Sequence, residues 1–455
     1  MLLMIRALLA LALAAGAQHA LSAPAGQVEF AQGLASAQQR GQATRILGKG
    51  DPLQEGDVLN TGARGFAIIA FPDGGKVTLR PNTTFAIDRY NGAAGQEAVA
   101  LRLLKGGMRA ITGAIGRAKP ESVSVRAATS TIGIRGTSFD ARLCEADCAL
   151  ENQPRSGVKP KPAVTSAVVA RVLLLQGEAS VVNPNQPSQP ARRVARGAAL
   201  FSGEAISTEK GSHVVLLFRD TTRITVTAES ELRLEDVRIA GDKADSGSML
   251  LRLTRGAART FTGLLARRDP KAFEFRAATA TIGIRGTGFD TRIAQECAAP
   301  GQCGDVVYAQ LWDGAIALDG GGQSLLVPLS RAAVFDALRK RLALLDAVPD
   351  SFLREPAPRP DQVAVDDTLF AAVNLPGAPA GLYVNVRDGH VVLQNLDLGR
   401  FESGYVGADG NPVRLTIVPR FLAEDPIPAP ENFDERTQRL LEVLSERSDG
   451  LICEM

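Results

Sequence analysis

Apolar residues along this chain fall in short, strand-length runs. FAIIAF (66–71), KVTLR (76–80) and TFAID (84–88) are matched later by HVVLLF (213–218), RITVT (223–227) and ELRLE (231–235). Their β-branched and apolar content predicts strands. Asp73-Gly74-Gly75 between two of them reads as a tight hairpin turn, which Asp220-Thr221-Thr222 replaces in the later set. Ser130 to Phe139 alternates apolar and small residues about Gly133 and Gly136, a strand bent or closely approached at its glycines. A strand–turn–strand pattern centred on Gly33, Gly177, Gly314 and Gly389 recurs at 28–37, 171–182, 308–318 and 383–393. Helical spacing occurs in SRAAVFDALRKRLALLDA (330–347), and a second helix, opened by acidic residues, is expected near 431–447. The fold class is mainly β: sandwich, roll or short β-helix modules with a β-rich C-terminal region carrying one or two helices.

The pattern is written twice. RAATSTIGIRGTSFDAR (126–142) returns as RAATATIGIRGTGFDTR (276–292), identical at 14 of 17 positions. LRLLKGGMRAITG (101–113) aligns with LRLTRGAARTFTG (251–263) at the same offset of 150, and residues 56–87 align with 203–234 at an offset of 147. Repeats and composition divide the chain into a signal peptide (1–25), module 1 (26–150), a Pro-rich linker (151–163), module 2 (164–304), a β-hairpin plus helix (305–353), a second Pro-rich linker (354–365) and an acidic β region ending in a helix (366–455).

Residues 1–25 combine Arg6, an apolar run from Ala7 to Ala17 and small residues at Ala17, Ala23 and Ala25. This is a secretory signal layout, and the run is too short to span a bilayer. It implies a periplasmic or secreted protein. Export gives the five cysteines a meaning: Cys144 with Cys148 and Cys297 with Cys303 read as two local disulfides, or as one shared zinc site, with Cys453 left over.

The ordered elements GDxLxTG, a strand pair about FxDG, LxxLxGxxRxxTG and TxTIGIRGTxFD resemble the FecR domain family, in both copies. The resemblance implies an all-β periplasmic module without catalytic activity. In the namesake proteins it relays the state of an outer-membrane receptor to a cytoplasmic sigma factor. Those relays carry a cytoplasmic segment and one membrane span before the module, whereas only a cleavable signal is expected here. The expected function is therefore an exported, non-catalytic binding or signal-relay module, with a structural envelope scaffold or a cell-wall glycan binder as the alternative. Its partner would be an envelope protein, such as a membrane sensor or receptor, or a cell-wall polymer.

Candidate chemistry is sparse. His213 and His390 sit in strand patterns without a second ligand at metal spacing, and no nucleophile–base, P-loop or dinucleotide motif is present. No catalytic residue, metal or cofactor is expected. The motif residues Gly133, Arg135, Gly136, Thr137, Gly283, Arg285, Gly286 and Thr287 read as backbone-geometry residues, with Arg135 and Arg285 paired internally to Asp140 and Asp290. Arg102, Arg109 and Arg126, repeated as Arg252, Arg259 and Arg276, form a candidate anion-binding stripe.

The chain holds 51 Lys plus Arg against 49 Asp plus Glu, a balance that opposes nucleic-acid binding and, with 45% hydrophobic residues, excludes disorder. Near-neutrality is a cancellation. Residues 28–143 and 164–293 are each +6, and residues 294–455 are −11, so the acidic third is expected to fold against the modules or compete with an acidic partner for them. N-terminal sequencing of the chain recovered from the envelope or medium should begin after Ala17, Ala23 or Ala25; an intact Met1 would remove the export reading.

Overall fold

The computed structural model describes residues 23–128, 130–153, 165–240, 243–299, 301–430, 433 and 436–439. Ala25 is already part of the fold, 2% exposed with its N–H donating to Leu53 O, so the first module starts just before Gly26.

Each module is built on one continuous hydrogen-bonded sheet whose long strands change partners midway. In module 1 the strand Ala98–Ile111 pairs through its first half with Thr84–Asn91 and, in parallel, with Val123–Ala127. Its second half pairs with Lys76–Leu79 and Ser130–Cys144. The change of partner falls at Gly106, whose φ of +80° and close approach to Thr83 exclude a side chain. Module 2 breaks the same path at Gly256, between Lys243–Arg255 and Ala257–Phe261. The parallel pairing is reached over a short crossover, helix Ala114–Ala118 in module 1 and Leu264–Arg268 in module 2.

Neither module is complete within its repeat. Module 2 continues directly: Ala280–Ala299 turns at Cys297–Cys303 and pairs along its length with Gln302–Gly320, followed by Gln323–Val327, Ala332–Asp336 and Arg341–Leu344. Module 1 is closed from the far end of the chain. Its last strand, Ser130–Cys144, pairs from Ile132↔Leu393 to Cys144↔Gly381 with the strand Gly381–Leu393. Leu396–Gly399, Ser403–Val406 and Pro412–Leu415 extend that sheet. Leu382, Val384, Val386, Val391 and Leu393 enter the module 1 core beside Phe85 and Phe139, each burial stabilising by about 1.5–3 kcal/mol. The chain order is thus nested: module 1, module 2, completion of module 2, completion of module 1.

Three sequence expectations are corrected here. Residues 330–347 are not a helix but the strands Ala332–Asp336 and Arg341–Leu344. Ala332 through Asp336 are all buried, and a run covered on both faces carries no period by which a strand can be told from a helix. Gly314 and Gly389 are not hairpin turns. The strands Gln302–Gly320 and Gly381–Leu393 pass straight through them, bulging where Gly389 faces Gly136 and Gly314 faces Gly286, all at positive φ. The Pro-rich stretch 354–365 is not a free linker but a strap over module 2, with Ala357 and Pro360 buried and Arg359 stacked on Trp312 at 3.8 Å. The tail helix expected over 431–447 falls, apart from Phe433 and residues 436–439, outside the described residues, as do linker residues 154–163 and Cys453.

The nested order has a mechanical consequence. With a protease site inserted into 154–163 and cut in the folded protein, the two fragments should co-elute on size exclusion and separate only in denaturant. Fragments that part in native buffer would contradict the return of residues 381–415 to module 1.

Candidate functional site: the joint between the modules

The motif residues form internal latches. Thr112 N donates to Thr137 O at 2.9 Å while Thr137 N donates to Thr112 Oγ1 at 3.1 Å; Thr262 and Thr287 repeat the pair. Asp73 accepts from Gly75 N and Ile115 N, fixing both the hairpin turn and the crossover helix, and Asp220 does the same through Thr222 and Leu265. Gly133 and Gly283 lie at strand pairs with Val392 and Ala317.

The arginines are placed differently from expectation. Asp140 pairs not with Arg135 but with Arg109, and Asp290 pairs with Arg259, each arginine directly opposite its aspartate across the antiparallel register. Arg109 is 7% exposed and reaches Asp140 at 2.6 Å, and its other nitrogen donates to Ile427 O at 2.6 Å; Arg259 holds Ala357 O at 2.8 Å in the same way. Burial, opposed by Arg259 and by the Trp312 N–H, pushes Asp290 above the usual carboxylate value. Arg135 donates to Arg193 O in module 2, while the side chain of Arg285 lies outside the described residues.

The anion-binding stripe is largely neutralised. Arg102 pairs with Asp88, Arg252 with Glu235 and Arg276 with Glu274. Arg126 alone of the six is exposed with no carboxylate partner among the described residues. The disulfides differ in setting: Cys144–Cys148 is buried beside Tyr383, Phe421 and Leu422, whereas Cys297–Cys303 closes an exposed hairpin tip. Among the described residues no group of three or more His, Cys, Asp or Glu is arranged for a metal.

The densest chemistry lies where the modules meet. Glu402, on the segment that completes module 1, is 4% exposed; it contacts Arg171 at 2.5 Å and Arg219 at 3.5 Å, both from module 2, and Arg414 at 3.3 Å. Gly399 N and Ser166 Oγ also donate to it. Burial alone would raise its pKa, yet Arg171, Arg414 and the Gly399 N–H hold it below the ordinary 4.5. Asp397 is likewise buried but held down at about 2 by His390, Arg171 and Arg192, and it accepts from Ala199 N of module 2. His390 stacks on Phe201 of module 2, with ring centroids 4.6 Å apart. Burial brings Arg414 down to about 10 against the pull of Glu402, while its guanidinium ties the Leu369 and Ala371 carbonyls to the joint. Beside this cluster opens a cleft of about 1120 Å³, whose lining includes Arg219, Phe370, Phe401, Glu402, Arg414 and Ile417.

The family model described as FecR protein matches residues 57–152 and 204–303, the two repeats just described. The chain carries two FecR domains. The matched spans hold the latches and the Arg109–Asp140 and Arg259–Asp290 pairs, but not the strands that complete either FecR module. Among solved structures, a chain described as a "putative anti-sigma factor from Parabacteroides distasonis ATCC 8503", determined at 2.50 and at 1.65 Å, matches with 15% identity and a TM-score of 0.26, too low to carry an inference. The match covers 33% of this chain and 62% of that one. No protein of curated function matches. Among the described residues no helix is long and apolar enough to cross a membrane.

Sequence reading missed the joint because Arg171 and Glu402 are 231 residues apart. It also missed a third repeat that was legible: VPDSFLREPAPRP (348–360) and VPRFLAEDPIPAP (418–430). These are the straps whose carbonyls Arg259 and Arg109 hold, and whose Glu355 and Asp425 pair with Arg292 and Arg80.

Removing Glu402 by Glu402→Ala leaves buried guanidinium groups uncompensated and should cost about 3–5 kcal/mol in denaturant unfolding. Arg126→Ala should stay within about 0.5 kcal/mol. The folded pKa of Glu402 is depressed, so its contribution is complete above its unfolded value of about 4.5 and fades as pH falls through the folded one. Glu402→Gln should therefore lose less stability than wild type when the solution is taken from neutral pH to about pH 3; equal losses would assign the acid limb to other groups.

Proposed function

We propose that this is an exported, non-catalytic FecR-domain protein that acts as a binding or signal-relay module for a protein partner in the cell envelope, such as a membrane sensor or receptor. The observation that carries the reading is how the shared motif is used. In both modules its threonine backbone groups are held in reciprocal latches and its aspartate in a pair with an arginine that grips a strap, so these groups do not converge on an open point where a substrate could react. What stays open to other molecules is sheet edges and the cleft at the joint, surfaces suited to contact with a partner. The apolar segment 7–17 and the two disulfides support an extracytoplasmic location. The family resemblance supports a relay. The carboxylate partners of Arg102, Arg252 and Arg276 weigh against an anionic glycan as the ligand.

Photo-crosslinkers placed at Phe401 and Ile417 on the cleft rim of the full chain, activated in intact cells, should trap an envelope protein, and Glu402→Ala should reduce the yield several-fold. Crosslinks to cell-wall polymer alone, unaffected by Glu402→Ala, would favour the scaffold or glycan-binding alternative.

A further inference from the structure

The segments that complete the two modules are equivalent strand by strand, yet only one of them is covered. In both, a residue at positive φ (Phe401, Ser330) donates to the core strand at Val386 or Leu311, and the next residue accepts from the same position, which equates Glu402 with Arg331. The pairings Val392↔Asp397 and Ala317↔Leu326 equate Asp397 with Leu326, and Gly404↔Arg414 and Ala333↔Leu344 equate Arg414 with Leu344. The charged trio that docks module 1 onto module 2 is therefore replaced, at the free end of module 2, by Leu326, Arg331 and Leu344. Leu326 is 68% exposed, Leu329 60% and Leu344 37%. They lie on or beside Gln323–Val327 and Arg341–Leu344, each of which pairs on one side only.

The receiving surface has changed in step. On module 2 it is Arg171, Ala199, Phe201 and Arg219. The pairings Arg171↔Ala199 and Gln27↔Pro52, with the 147-residue offset, place Gln27, Pro52, Gln54 and Pro72 at the same positions of module 1. Gln27, Pro52 and Pro72 are exposed. Charge facing charge within the chain thus corresponds, at the two free ends, to the uncharged Gln27, Pro52 and Pro72 on one face and to two leucines with a single charge, Arg331, on the other. Sizes change together as well: Gly399 approaches Phe201 within the chain, and Pro328 with Gln54 takes their places at the ends.

We infer that the Leu326–Leu329–Leu344 face of module 2 docks on the Gln27–Pro52–Pro72 face of module 1 in a second copy of the chain, repeating the internal joint between molecules. Such contact is heterologous and leaves one donor face and one acceptor face free on each pair, so it builds a head-to-tail array, open or closed into a ring according to its rotation, rather than a symmetric dimer. The internal joint is the precedent for this surface as a docking face.

The test uses the full mature chain with Cys453→Ser throughout. In sedimentation equilibrium the wild-type mass should rise with concentration, while Leu326→Asp combined with Leu329→Asp should sediment as one chain with unchanged circular dichroism. A wild type that keeps the mass of one chain at all concentrations overturns the proposal. Leu326→Cys and Pro52→Cys variants, mixed and oxidised, should give an interchain disulfide that neither forms alone. Efficient disulfide formation by Leu326→Cys alone would reveal a symmetric contact and overturn the head-to-tail arrangement.

Discussion

A β-strand cannot leave its edge open over an apolar core without cost, because its N–H and C=O groups need partners and the side chains beneath need a cover. Ser130–Cys144 is such a strand, with Ile132, Ile134 and Phe139 on its inner face; inside its own repeat it pairs with Val123–Ala127 and Ala98–Ile111, and its opposite edge is left for another strand. The chain satisfies it only after building all of module 2, by returning Gly381–Leu393 along almost its whole length. Much else follows from that return. The connecting segment has to cross module 2, which it does as a strap held by Arg259, and the returning sheet has to lie against module 2, where the joint forms.

The joint is charged because of where it sits. Glu402 is buried and Asp397 mostly so, and their charges are tolerable because Glu402 meets three guanidinium groups and the Gly399 N–H while Asp397 meets Arg171, His390 and the Ala199 N–H. Arg171, the largest fully buried side chain, meets the same need from the other module. An assembly of this kind fixes one relative placement of the modules, since any rotation leaves a buried charge unpaired. A hydrophobic joint would tolerate sliding. The Arg–Glu cluster does not, because its buried charges need their partners in place.

Conservation of chemistry between the repeats separates scaffold from surface. The Thr–Thr latch, the Asp-anchored turn and the Arg–Asp–strap contact are the same in both modules. The completing segments keep their backbone pairing while the side chains they turn away from their own module diverge from Asp397, Glu402 and Arg414 to Leu326, Arg331 and Leu344. Backbone geometry is common to both copies, and contact specificity is set where each copy ends.

The duplication, the β class and the pairing of neighbouring cysteines were readable from residues alone, because each rests on local pattern or on a motif written twice. The excess of acid after residue 294 was readable too, as a region that would lie against basic modules; Glu402 on Arg171, Glu355 on Arg292 and Asp425 on Arg80 are how it does so. Residues 330–347 were misread since burial on both faces removes periodicity, and Gly314 and Gly389 since a glycine at positive φ serves a bulge as well as a turn. Which carboxylate meets Arg109 depended on strand register, and which segment closes module 1 depended on a pairing across more than two hundred residues. Local sequence determined the parts and their repetition. Tertiary structure alone decided their partners, because register and long-range pairing are set by how the buried faces and unpaired edges of distant strands satisfy one another.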